Sequence, residues 1–375
     1  MEDRKIRVGI PHGDTNGVGY ELIFRTFSTP EMLELCTPIV YGSPKVAAYH
    51  RKALDLQANF SIIADAAEAK DGRVNLLTCF DDEVKVDLGT PTPESGNAAM
   101  KALDRAMADF RAGAFDVLVS CPVCTGSTDD SGFQFGGLSH YVETCLGDGK
   151  KALEMLLSEN LRIAVLTDGL PIKDVAKAVT EERLTQVAGQ LTESLKRDFR
   201  LSCPRTAVLA LNPTGNGSEE QSVIKPAIQQ MPEAGKTVFG PYRADTFFSS
   251  HRDEAFDCVL AMYDDQANIP FHALSQDFTV SYIAGMSLVC TAPIVENPFS
   301  TNGTTEANER SFRHAIYAAI DIFRHREAYD EPLANPLQKL YHEKRDDSDK
   351  ARFATGKRHD QRPRPQSHDK EEPKE

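Results

Sequence analysis

The sequence has no apolar run of the eighteen or so residues that a bilayer-spanning helix needs, and its charged opening, MEDRKIR, is not followed by the apolar core of a secretory signal. It has no excess of positive charge either: 42 lysines and arginines stand against 56 aspartates and glutamates, a net of −14. Nucleic-acid binding rests on a basic face, so this balance argues against a phosphate-backbone partner and mainly favours solubility. The eight cysteines are scattered through ordinary apolar contexts of a long chain rather than spaced as a short disulfide framework. These absences point to a cytoplasmic protein with no membrane and no nucleic-acid partner. At 375 residues the chain can bury a large core and divide it between two lobes.

The two common nucleotide fingerprints are also missing. In residues 5–27, Ile6, Val8 and Ile10 alternate with Arg7 and Gly9, a loop with Gly13, Gly17 and Gly19 follows, and then Leu22, Ile23 and Phe27 recur at helical spacing. This is a strand, a glycine loop and a helix, but the spacing is neither G-x-G-x-x-G nor G-x-x-x-x-G-K-[ST]. Glycine allows positive φ and close backbone approach, and a helix start favours an anion. Asp14, Asn16 and Gly17 therefore belong either to a ligand-facing loop or to a purely structural turn, and the residues leave both open.

Further along, apolar runs predict strands over 38–41, 74–77, 115–120, 161–167, 205–211 and 256–262, and helical spacing predicts helices over 45–54, 97–112, 172–179, 181–199 and 311–323. Strand followed by helix argues for an α/β sheet, whose ligands gather beyond the carboxyl ends of strands. Cys121-Pro122-Val123-Cys124 stands at such an end. From residue 343 charges of both signs alternate with Pro363, Pro365 and Pro373, and only Phe353 offers an apolar anchor. The expected organisation is a body over 1–342 and a charged, disordered tail over 343–375.

Four segments, 13–21 (GDTNGVGYE), 207–213 (AVLALNP), 240–247 (GPYRADTF) and 259–266 (VLAMYDDQ), occur in the order and form that resemble the 4-hydroxythreonine-4-phosphate dehydrogenase family, the NAD-dependent enzymes of pyridoxal phosphate synthesis. The resemblance covers about residues 5–328. It implies a two-lobed α/β fold like that of isocitrate and isopropylmalate dehydrogenases, with a central cleft that takes a small-molecule ligand. It also implies NAD, a divalent metal held by three histidines, and a homodimer whose clefts use residues from both subunits.

Against that resemblance the chemistry departs. The family's T-T-H-L-P is Thr167-Asp168-Gly169-Leu170-Pro171, its histidine after L-N-P is Thr214, and its M-Y-H-D-Q is Met262-Tyr263-Asp264-Asp265-Gln266. The metal positions are thus Gly169, Thr214 and Asp264, and only the last could still serve a hard cation. The G-H-T-E stretch becomes Gly137-Leu138-Ser139-His140, the T-G-P-x-x-K lysine falls on Thr125, the lysine after D-Q-G on His272, and the later asparagine and arginine on Ser281 and Cys290. The cofactor stretch D-H-G-T-A reads Ile294-Val295-Glu296-Asn297-Pro298. Scaffold positions remain intact, which speaks for a folded protein.

Three readings compete: a catalytically degenerate homologue acting as a binding or regulatory protein, an active oxidoreductase with a reworked metal and substrate site, and residual family activity. The first is preferred on the loss of every ligand position. Candidate catalytic groups are Asp264, Asp265 and His272. Cys121 and Cys124 could hold zinc or cycle through a disulfide, though buried cysteines commonly act as small hydrophobes, and Asp168, Asp264 and Asp265 could hold magnesium if they converge.

Overall fold

A computed structural model describes residues 4–55, 58–80, 84–124, 136–231, 235–275, 278–295, 297–299 and 307–335. Its framework is one twelve-stranded sheet: β1 (Ile6–Pro11), β2 (Cys36–Gly42), β3 (Phe60–Ile63), β4 (Val74–Thr78), β5 (Val117–Val119), β6 (Leu153–Leu157), β7 (Arg162–Val165), β8 (Arg205–Leu209), β9 (Thr237–Tyr242), β10 (Cys258–Ala261), β11 (Val280–Ala284) and β12 (Val289–Pro293). Their order across the sheet is β3-β4-β2-β1-β5-β12-β11-β6-β7-β10-β8-β9.

The first six of these strands are mutually parallel, and so are the last four. Between them β11 is antiparallel to both β12 and β6, and β6 is antiparallel to β7. The two parallel halves consequently run in opposite senses, and their carboxyl ends leave the sheet on opposite edges. This is the mixed α/β, dehydrogenase-like architecture expected from the resemblance, with the two lobes built as halves of one sheet. Residues 1–331 form one compact unit. The expected tail over 343–375 lies outside the described residues.

The predicted strands and helices all occur, with shifted ends. β2, β5 and β10 are buried on both faces, as parallel strands covered by helices must be, and so read as short apolar runs rather than alternations. The helix predicted over 97–112 begins earlier, at Pro93, because Thr92 caps it: the Thr92 hydroxyl accepts from Ser95 N at 3.2 Å while Thr92 N donates to the Ser95 hydroxyl at 3.1 Å. Pro93 at the first helical position costs nothing, since that N–H has no partner within a helix. Thr92→Ala is expected to lower stability by about 1 kcal/mol, read as a shift of the urea unfolding midpoint with unchanged slope. The last described helix, Arg310–Ala334, extends past the predicted end at 323.

Candidate active site

Two sets of loops stand at the two edges. At the first, the ends of β1, β5 and β12 close on one another. Asp14 N donates to Pro122 O (3.0 Å) and Val18 N to Pro298 O (2.9 Å), so the glycine loop is clamped between the segment after β5 and the segment after β12. Asn16 N donates to the Asp14 carboxylate, and the Asn16 side chain bridges to Thr90 O (2.8 Å) and Asp87 N (2.9 Å). Gly13 has φ of +76°, and a Cβ on Gly19 would lie 1.9 Å from His12 O. Residues 8–24 are buried. Asp14, Asn16 and Gly17 therefore form a structural knot, which favours the turn reading of this loop.

Inside the knot His12 is fully buried, stacked on Tyr20 at 5.1 Å, and neither ring nitrogen has a hydrogen-bond partner among the described residues. Burial, then the nearby His50, drive its pKa down to about 3. Burial lowers His50 as well, against its contact with Thr15 O at 2.7 Å. The sign follows from proton uptake. As pH falls below about 6.5 the unfolded chain takes protons at both positions that the folded chain refuses, so stability is lost progressively towards pH 3. The urea midpoint is expected to be lower at pH 5 than at pH 7, and the difference to shrink in His12→Gln.

At the second edge, β7 and β10 are adjacent and deliver Asp168, Gly169 and Asp264 side by side. Gly169 N donates to Asp264 Oδ2 at 3.1 Å, and the Thr167 hydroxyl donates to Met262 O at 2.7 Å, tying the two loops together. Ser139, on the helix Leu138–Leu146, donates to Asp168 Oδ2 at 3.4 Å. Behind them Glu154 of β6 accepts from the Ser281 hydroxyl of β11 at 2.5 Å. Desolvation pushes the Asp168 carboxyl up to about 7, helped by Glu154 and then Asp264, although part of the residue reaches solvent. Glu154 is raised too, first by burial and then by Asp264, against the Ser281 hydrogen bond. Cys290, fully buried on β12, is raised by burial and by Glu154. The geometry is a cluster of three carboxylates, Glu154, Asp168 and Asp264, in which Asp168 is the group displaced furthest towards neutral pH.

The remaining candidates do not join it. Thr214 is exposed on a loop that Glu220 pins through Asn212 N and Gly217 N, both at 2.7 Å. Asp265 and His272 are exposed on the helix Asp264–Leu274, with no hydrogen bond among the described residues. Leu138 packs against a core cluster. Thr125 and Glu296 lie outside the described residues. Cys121 is buried, and desolvation raises its thiol far above the reactive range, so Cys121 is not a reactive thiolate.

Residues 34–319 match the family model described as pyridoxal phosphate biosynthetic protein PdxA. The chain is 48% identical over 360 residues, 95% of its length and 99% of the relative's, to a 4-hydroxythreonine-4-phosphate dehydrogenase of Bacteroides thetaiotaomicron. It belongs to the PdxA family. A protein of the same name from Aquifex aeolicus is 30% identical, over 84% of this chain and 98% of that one. The crystal structure of the Klebsiella pneumoniae 4-hydroxythreonine-4-phosphate dehydrogenase superposes with a TM-score of 0.72 at 24% identity, covering 85% of this chain and all (100%) of that one, which supports the fold.

Within this PdxA protein the residues do not fit the three-histidine metal. Gly169 supplies no side-chain donor, Thr214 is an exposed neutral hydroxyl, and no group of three or more His, Cys, Asp or Glu among the described residues is arranged to hold an ion. The cofactor stretch is likewise engaged by the protein itself: Ile294 N donates to Thr279 O at 3.1 Å, Asn297 accepts from Phe299 N at 3.0 Å, and Pro298 O is taken by Val18. Glu154 is the site residue that sequence reasoning missed. Its signal was a lone carboxylate within the apolar strand Leu153–Leu157.

Proposed function

We propose that this chain is an active oxidoreductase of the PdxA family whose site has been rebuilt around carboxylates, and that its substrate is a small hydroxylated molecule without a phosphate. The observation that carries the reading is the 48% identity with a named 4-hydroxythreonine-4-phosphate dehydrogenase across 95% of the chain. Oxidising an alcohol requires a group that takes the hydroxyl proton, and Asp168, held near neutrality beside Ser139, is suited to that task. Glu154, Asp168 and Asp264 repel a phosphate, and Ser281 and Cys290 offer no cation to hold one. The hydride acceptor expected from the resemblance is NAD.

On this reading the protein is a cytoplasmic homodimer. Leu170 (41% exposed), Ile172 (72%) and Ile269 (68%) flank the carboxylates, and an exposed apolar group beside a site supports a subunit contact there.

A second reading, a ligand-binding or regulatory homologue without turnover, is favoured by the missing three-donor group. The test is NADH formation from 4-hydroxythreonine and related unphosphorylated hydroxy acids, with binding of the same compounds measured in parallel. Turnover that rises with pH through about 7 and falls about a hundredfold or more in Asp168→Asn supports the first reading. Binding without turnover in either protein supports the second.

A further inference from the structure

We propose that the cavity between the helix Arg310–Ala334 and strands β6, β7 and β11 is a second ligand site, for a small planar aromatic carboxylate. It is about 400 Å³ in volume and separate from the carboxylate cluster. That size falls within the range of small-molecule pockets, which are mostly apolar with a few placed polar groups.

The walls are rings. Phe278 packs edge-on to His314 with centroids 4.0 Å apart, and Phe199 lies under the Arg162 guanidinium at 4.9 Å. Burial lowers the His314 pKa, so at neutral pH this ring is an uncharged aromatic surface. A flat apolar guest displaces water from these ring surfaces.

Arg162 supplies the polar end. Its Nη1 donates to Asp257 O at 3.3 Å, while its Nε and Nη2 make no hydrogen bond among the described residues. Those two atoms form the side-on edge that meets both oxygens of a carboxylate, as the Nε and Nη2 of Arg197 do with Asp330 at 2.9 and 2.5 Å elsewhere in this protein. Because the guanidinium is already stacked on Phe199 and held by Asp257, little side-chain freedom remains to be lost on binding. Glu159 and Asp321, exposed at the rim, bring two negative charges. They disfavour a guest with more than one anionic group and leave the Arg162 edge as the place for its single carboxylate.

The probe is 2-naphthoate on the full-length chain. The protein has no tryptophan, so naphthoate emission can be followed without a tryptophan background. Saturable binding with a Kd below about 1 mM is expected, at least about tenfold weaker for the neutral 2-naphthamide, a difference of about 1.4 kcal/mol. Arg162→Gln is expected to weaken naphthoate binding by about the same factor and to leave amide binding alone. Ala318→Phe, which fills the cavity and leaves the Arg162 contact with Asp257 in place, is expected to abolish both. Its result stands even if Arg162→Gln fails to fold. No saturation up to about 5 mM, equal affinity for acid and amide, or wild-type binding in a folded Ala318→Phe would each overturn the site.

Discussion

Purified protein, supplied with a divalent metal and NAD, is expected to form NADH from 4-hydroxythreonine 4-phosphate at less than about one-hundredth of the rate of a PdxA enzyme assayed alongside. The reaction as the family runs it asks for metal polarisation of the hydroxyl, a cationic grip on the phosphate and a positioned nicotinamide. Here Gly169 presents no ligand atom, Thr214 offers only a neutral hydroxyl, and the phosphate positions Ser281 and Cys290 sit beside the Glu154 carboxyl rather than a cation. Removing one transition-state contact commonly costs about a hundredfold. The losses are not additive within one site, but none of the substitutes restores a lost role. Turnover within about tenfold of the control would mean that Asp168 and Asp264 perform the family's chemistry after all, on the phosphorylated substrate.

Arg326→Met is expected to destabilise the fold by about 3–5 kcal/mol, the largest single effect on stability. Arg326 is 5% exposed, and its guanidinium reaches Asp198 at 2.7 Å, the Tyr282 hydroxyl at 2.9 Å, and both Met286 O and Ser287 O at 3.0 Å. Tyr282 in turn donates to the second Asp198 oxygen at 2.6 Å. Without the guanidinium, Asp198 keeps a buried charge and two backbone carbonyls lose their donor, which is why breaking such a pair costs far more than the pair contributes. The double variant Arg326→Met, Asp198→Leu should recover part of the loss, since an apolar pair strands no charge. Urea unfolding measures both. A single-variant loss under about 1 kcal/mol would show that water compensates the site and that this network does not bind the helix Arg310–Ala334 to the sheet.

The elements legible in the sequence were those whose signal is local. β1 announced itself by alternation, the helix Glu181–Arg197 by its apolar stripe, and the parallel strands by short apolar runs bounded by turns. Strands β6, β11 and β12 were not read, although they join the two halves of the sheet. β11 with β12 and β6 with β7 are short-range antiparallel pairs, but what places them between the halves is pairing across more than a hundred positions, such as Ser281 with Leu156, and no local pattern records that. The cap at Thr92 is equally local, yet the helix was read as starting only at 97, after the two prolines that flank it at 91 and 93.

By itself, then, the sequence determined the fold class, the family through motifs kept in order, and the absence of histidine at 169, 214 and 264, because these are properties of residue identity and spacing. Only the tertiary structure decided which residues share a site. Opposed strand directions send the glycine loop and Cys121 to one edge and Asp168, Gly169 and Asp264 to the other, so residues that family motifs group together are divided by geometry. The same packing brings Glu154, distant in sequence and matching no motif, against Ser281 and Asp168. The physical reason is range: hydrophobic period and turn chemistry act over a few residues, whereas the electrostatics of a buried carboxylate depend on whichever side chains the completed sheet places around it.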